Sequence, residues 1–382
     1  FFTANLQVGT PGYNAPGTIV PENAATGINP VNVYVERIAA RVKVTGIDGV
    51  LPVMNDEQEQ FTDAQKNPVY IKVLGWNITN NTDKAKALKV VENYSNLGFE
   101  WNNAAAFRSY WATTDALPLH NLTFNDLISN DVPSVGYYFE NTGAYAENNK
   151  VSVQEKYGES EYTFVTAPDA NKASQLLIAA QLCDNQGNPI TLAKWYDELY
   201  TLEGIKAAMV SSVAHKLYKL STSEENGETT NTWTSITEDD IDFVQEDHTA
   251  EAGRYFVYAT VKSGVKYYAK ESTTEMSSED ADAILKAIQP ALIWKDGYTY
   301  YYSTIEHFEG TVNGSVQKNY GVVRNHSYDV EISAVKGLGT PVYNPDMVIT
   351  PEKPAADPEA TNLVATINIQ SWAVVSNSIV LE

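Results

Sequence analysis

Five histidines, His120, His215, His248, His307 and His326, are the side chains best suited to proton transfer near neutrality. None stands in a spacing that metal chemistry uses. A zinc site of the HExxH kind needs two histidines four residues apart on one helix face, and a structural zinc needs paired Cys or His ligands. Neither pattern occurs, so no metal site is expected. Glu306-His307 and Arg324-Asn325-His326 set a histidine beside a charged group, but both lie in strand-rich sequence. Neighbouring side chains on a strand face opposite ways, which favours structural roles. No GxSxG elbow presents a serine nucleophile, and no GxGxxG or P-loop glycine pattern cradles a cofactor phosphate. Catalytic and cofactor-binding residues are therefore expected to be none. The acidic run Glu238-Asp-Asp-Ile-Asp242 lacks the glycine and the terminal glutamate of a calcium loop and reads as a solvated turn. Trp101, Trp111 and Trp233 could stack on sugars, and serve equally well as core.

The rest of the composition narrows the class. The chain has 382 residues, 26 Lys and Arg against 48 Asp and Glu, and a formal net charge of −22. That charge opposes nucleic acid and anionic membrane surfaces as partners. Its single cysteine, Cys183, allows no intrachain disulfide and ends the apolar run from Leu176, where it reads as buried. No stretch of 18 apolar residues exists to span a membrane as a helix. The start at Phe1-Phe2 reads as a processed mature terminus. Twenty-four tyrosines against 11 phenylalanines suit half-exposed sheets.

Period-2 alternation predicts strands over 32–45, 69–78, 173–183, 291–294, 298–305, 321–324 and 327–335, with shorter ones at 1–8 and 136–142. In the first of these the apolar phase changes near Glu36-Arg37, which predicts a bulge or a strand passing between two sheets. Helices are expected at 122–128, at 201–217 from the spacing of Leu202, Ile205, Met209, Val213 and Leu217, and at 277–288. The last has a Ser277 cap and acidic first turn. Many strands and few short helices predict a mainly β protein of sandwich architecture. The length predicts two units, 1–148 and 149–345, followed by a Pro-rich arm and C-terminal strand over 346–382.

That final segment is the most distinctive stretch. Pro351, Pro354 and Pro358 fall within nine residues and favour a stiff, extended spacer. Beyond it, Leu363, Ala365, Ile367, Ile369, Ser371 and Val375 share one phase of a strand. Trp372 stands on the other, and Ile379 and Leu381 continue the apolar pattern. Such a strand either folds back as the last strand of its own chain or reaches into another molecule and adds to its sheet.

Tyr300-Tyr-Tyr-Ser-Thr-Ile-Glu-His307, Tyr320-Gly-Val-Val-Arg-Asn-His-Ser-Tyr328 and Gly337-Leu-Gly-Thr-Pro341 form one set of motifs. Val33-Tyr-Val-Glu-Arg-Ile-Ala-Ala-Arg-Val42, Tyr138-Phe-Glu-Asn-Thr142 and Phe1-Phe-Thr-Ala-Asn5 form another. The first set resembles the C-terminal pattern of the Bacteroidales fimbrillins, the type V pilus subunits, and of their short-fimbria shaft members in particular; the second is similar to the family's first-half motifs. The resemblance implies two tandem transthyretin-like sandwiches and no enzymatic activity. It implies a lipoprotein precursor carried to the outer membrane and a protease that removes a leader strand ahead of Phe1. The groove so opened in the 1–148 unit would receive a neighbour's tail by donor-strand exchange. The donor positions would be Leu363, Ala365, Ile367, Ile369, Ser371, Trp372, Val375, Ile379 and Leu381. Partners would be identical subunits, anchor and tip fimbrillins, and a host or bacterial surface receptor. The alternative is a tip or accessory adhesin, or a surface glycan-binding lipoprotein.

Overall fold

The computed structural model describes residues 37–55, 57–79, 122–139, 174–247, 255–312, 315–320, 322, 324, 326–349 and 363–371. The expected strand at 1–8, Trp101, Trp111 and the arm at 350–362 lie outside the described residues, as does the boundary at 148. The protein is mainly β, consistent with a sandwich.

Its largest sheet is built from β1 (Ala39–Thr45), β2 (Val50–Met54), β3 (Tyr70–Ile78), β4 (Val135–Phe139), β5 (Gln175–Cys183), β13 (Tyr298–Thr304), β16 (His326–Lys336), β17 (Thr340–Pro341) and β18 (Leu363–Ser371). The order is β17-β13-β5-β3-β2-β16-β1-β4, with β18 also on β16. The sheet folds over at β2. Val50–Pro52 pair with β3, whereas Val53 and Met54 pair with Val335 and Lys336 of β16. β2 thus passes from one layer to the other; residues 32–36, where the phase change is expected, lie outside the described residues. Ala40, Val42 and Val44 of β1 and Tyr328, Val330 and Ile332 of β16 meet Ile71, Ile178, Leu182 and Tyr301 in one buried cluster. Strands from both sides of residue 148 thus interleave in this sheet and share this core.

Residues 175–183 are apolar almost without interruption because β5 is covered on both faces. Leu176, Ile178, Ala180 and Leu182 enter the main core; Leu177 and Ala179 enter a second cluster with Phe124, Leu127, Tyr300, Tyr302, Val342 and Ile349. A strand with two dry faces cannot alternate with polar residues. Cys183 is buried there, and burial pushes its thiol up to about 11. The second cluster is roofed by the short helix α1 (Phe124–Leu127) and by residues 342–349. Roof and sheet approach closely at Gly75: a Cβ there would collide with the Leu127 carbonyl oxygen.

β5 and β13 pair antiparallel from Gln175–Thr304 to Gln181–Tyr298, as the arms of a hairpin would. In place of a turn, residues 184–297 form an inserted unit. It holds β6 (Leu192–Trp195), β7 (Glu198–Thr201), α2 (Leu202–Val213), β8 (Tyr218–Glu225), β9 (Glu228–Ser235), β10 (Ile241–Asp247), β11 (Tyr255–Val261), α3 (Ser278–Lys286) and β12 (Ala291–Trp294). A five-stranded sheet, β10-β11-β12-β6-β7, carries α2 and α3 over a core of Ile205, Met209, Val213, Ala259, Ala281 and Leu285. α3 starts at the expected cap, the Asp280 amide donating to Ser277 Oγ at 3.1 Å. The β8–β9 and β14 (Glu306–Val312)–β15 (Ser315–Tyr320) ribbons stand apart from both sheets. The expected strand at 321–324 is, among its described residues, a single bridge position at Val322.

The acidic run at 238–242 is partly internal rather than a solvated turn. Asp240 is buried and accepts from the Thr237 amide and hydroxyl at 2.8 and 2.7 Å, with Lys219 Nζ at 2.8 Å. Trp233 donates its indole N–H to the Ser272 carbonyl.

Candidate functional site

β16 is the strand on which the C-terminal segment rests. Its buried positions Tyr328, Val330, Ile332 and Val335 belong to the main core, and Asp329, Glu331 and Ser333 are not buried. This is the alternation expected of a strand with one dry face. Along one edge β1 runs parallel, Arg41 opposite Ser327 through Thr45 opposite Glu331, and the end of β2 continues that edge. Arg41 Nη1 donates to Ser327 Oγ at 3.0 Å and lies 3.8 Å from Asp329 Oδ1, fastening the two strands side chain to side chain. β4 completes the layer beyond β1. On it, Tyr138 donates to Asn77 Oδ1 at 3.1 Å, and burial pushes its hydroxyl up to about 12.

Along the other edge β18 runs antiparallel for its whole length. Ser371 stands opposite His326, Ile369 opposite Tyr328, Ile367 opposite Val330, Ala365 opposite Ile332 and Leu363 opposite Val335. The register shifts once, between Ile332 and Ala334. Leu363, Ala365, Ile367 and Ile369 are thus matched one to one with the four core positions of β16, while buried Ser327 stands opposite Gln370. Among the described residues β18 pairs only with β16, so it ends its layer. Of the expected donor positions, Leu363, Ala365, Ile367, Ile369 and Ser371 lie in this strand; Trp372, Val375, Ile379, Leu381 and Phe1 lie outside the described residues.

The segment leading to the arm is held by β13 and by the α1 region from the other half of the chain. The Val342 amide donates to the Tyr298 carbonyl at 2.9 Å, the Asn125 amide to that of Pro345 at 3.1 Å, and the Ile349 amide to that of Leu122 at 2.8 Å. Asn125 Nδ2 reaches Asp346 Oδ1 at 2.7 Å. α1 is itself fixed by a reciprocal cap. The Asp126 amide donates to Thr123 Oγ1 at 3.2 Å, and the Thr123 amide to Asp126 Oδ2 at 2.8 Å. Bonds from the Thr123 amide and hydroxyl hold the Asp126 carboxyl below its ordinary range. Sequence reasoning missed this clamp, although Thr123-Phe-Asn-Asp126 follows the capping-box spacing that marks such a start.

Residues 293–378 match the family described as major fimbrial subunit protein type IV, fimbrillin, C-terminal. The match supports a fimbrial subunit. It takes in both members of the β16–β18 pair, so the strand and the edge it lies on fall within the fimbrillin-like stretch. No curated protein matches the chain. The glycines of the fimbrillin-like Gly337-Leu-Gly-Thr-Pro341 motif have a local reason. Gly339 has φ +68°, and a Cβ on it would meet Thr299 Oγ1 at 2.5 Å. The loop bends tightly here so that Thr299 Oγ1 donates to the Leu338 carbonyl at 2.6 Å and Tyr301 to that of Gly337 at 3.1 Å.

Of the histidines considered for acid–base work, His215 and His326 have described side chains, and these two are not brought together; His307 lies on β14, but its side chain is outside the description. His215 is exposed on the inserted unit, and buried His326 has Nδ1 2.9 Å from the Arg324 carbonyl oxygen. His120 and His248 lie outside the described residues. Among the described residues, no three His, Cys, Asp or Glu side chains are grouped to hold a metal ion, and no helix is long and apolar enough to cross a membrane.

Proposed function

We propose that this protein is a shaft-forming structural subunit of a bacterial surface fimbria, joined to the next copy by its C-terminal strand. The observation that carries the reading is a fimbrillin-like stretch that ends in a terminal strand at the end of a Pro-rich arm. A strand that closes its layer can leave without dismantling the strands beyond it, and an arm lets it reach a neighbour. Exchange of an identical element between copies then builds an assembly with no new kind of contact, and an exchange that does not close on itself builds a fibre. Backbone ladders supply affinity and the alternating side chains supply register.

The finer features follow the resemblance. The precursor is a lipoprotein delivered to the outer membrane of a Bacteroidales cell, and proteolytic removal of a leader strand readies the subunit. The acceptor is the layer containing β1 and β4, from the 1–148 segment, together with β16. The polymer is made of identical subunits with anchor and tip proteins at its ends, and binds a surface receptor there.

The test compares the purified chain with one ending at Asp357, each incubated for assembly at a concentration on the order of millimolar and run in mild SDS after graded heating. A heat-resistant ladder from the full chain and monomer alone from the shortened one supports the reading. A ladder from both, with the shortened chain folded by circular dichroism, removes the tail from the linkage.

A further inference from the structure

We propose that residues 363–371 act as a cap on their own subunit: they occupy in cis the β16 edge that takes the same residues of a second copy in the same register. This rests on the strand-donation reading and adds a control step to it. The edge is one surface with one complementary partner. Over His326–Val335 its register partners are residues of β18, and its four core positions Tyr328, Val330, Ile332 and Val335 stand opposite Ile369, Ile367, Ala365 and Leu363. A second copy brings the identical sequence, so its strand fits this edge equally well and no better. What separates the two outcomes is how each strand is delivered.

Delivery in cis has a strong advantage. The chain is held up to residue 349 by the bonds to Leu122 and from Asn125 and again from Leu363 by the ladder with β16, and residues 350–362 connect the two in sequence. Even as extended polyproline II, at ~3.1 Å per residue, these reach only about 40 Å. A strand on so short a leash sees its own edge at an effective concentration on the order of millimolar. Subunits at micromolar concentration present the competing strand about 1,000-fold more dilutely. The isolated chain is therefore monomeric, with its tail docked. Growth requires the cis strand to be displaced, either at a surface where subunits are concentrated or at a growing end whose edge is already empty.

The test keeps the full chain. A site-specific protease sequence replaces residues 352–357; half the folded sample is cut and half is not. Both are incubated in sub-denaturing urea with a fluorescent peptide spanning residues 359–382. The cut chain has lost the tether but kept every residue of the strand, so the cap should retain its tail on gel filtration and exchange it for the peptide. Uptake by the uncut chain should be at least ~100-fold weaker. Equal uptake by cut and uncut chains overturns the cap, because tethering then gives no advantage. A cut chain that stays folded, sheds its tail and takes up no peptide also overturns it, because the edge then holds no strand. Failure of the underlying reading looks different. If the cut chain exchanges peptide as expected but uncut chains form no polymer at millimolar concentration, the cap stands and donation between subunits falls.

Discussion

Ile367 stands opposite Val330 in an antiparallel register that runs unbroken to Ser371 opposite His326. Val330 is fully buried, and on its other side Val44 of β1 is its parallel partner. One residue of β16 thus joins a strand from the beginning of the chain to one from its end.

This register makes neighbouring substitutions in the tail unequal. In an antiparallel pair, alternate residues of an edge strand aim their N–H at the partner and away from it. Of Ile367→Pro and Asn368→Pro, one removes a ladder bond and the other does not. The two variants should differ by about 2 kcal/mol in chemical denaturation monitored at the tail, for example by hydrogen exchange of residues 363–371. Equal effects would mean that the strand is not held by this ladder.

Acid should weaken the inserted unit through Asp240. Burial alone would raise its carboxyl, but bonds from Lys219 and Thr237 outweigh that and hold it below the ordinary value of 3.8. A carboxyl depressed in the folded state adds stability that is fully present above 3.8 and lost as pH falls through its folded value. Asp240→Asn should therefore melt below the parent protein at pH 7, and the gap should close as pH drops below that ordinary value. Thermal melts at several pH values would show it; a gap independent of pH would assign the loss to packing.

Much of the layer structure was legible because it is local. The nearly continuous apolar run of β5, the alternation of β16 and the Ser277 cap of α3 each state their environment in consecutive residues. The side-by-side placement of β1 and β16 was not legible, since parallel pairing across nearly the whole chain leaves no mark in either strand. Nor was the crossing at β2, whose five residues are too few to show a period. The ribbon of β8 and β9 was overlooked despite its signal, Asn226-Gly227. Both residues have positive φ, 53° and 86°, as a two-residue hairpin turn requires. In the tail, the apolar phase was readable, whereas the strand it would lie against was not, because complementarity belongs to the pair.

The turn between β6 and β7 offers an independent check on the backbone. Tyr196 has φ 52°, a region costly for a bulky residue, and is 60% exposed with its ring 4.9 Å from that of Trp195. Replacing it with alanine removes the ring and keeps the strain; replacing it with glycine removes both. Tyr196→Gly should be more stable than Tyr196→Ala by about 1 kcal/mol in urea titration. Equal stabilities would mean that the turn is unstrained.

The account turns on whether the C-terminal strand crosses from one subunit to the next, and a pair of cysteines reads this directly. Glu331 and Thr366 are register partners, and Glu331 is exposed. Directly opposed residues lie about 4.5–5.5 Å apart at Cα, within disulfide reach. The native Cys183 is buried with its thiol raised to about 11, so it competes poorly for oxidation. The measurement is a non-reducing SDS gel of assembled fimbriae carrying Glu331→Cys with Thr366→Cys, oxidised after assembly and then boiled. A covalent ladder that collapses to monomer on reduction is the expected result, while the unassembled chain gives only an internally linked monomer. Assembled fibres that yield only internally linked monomer would contradict strand donation.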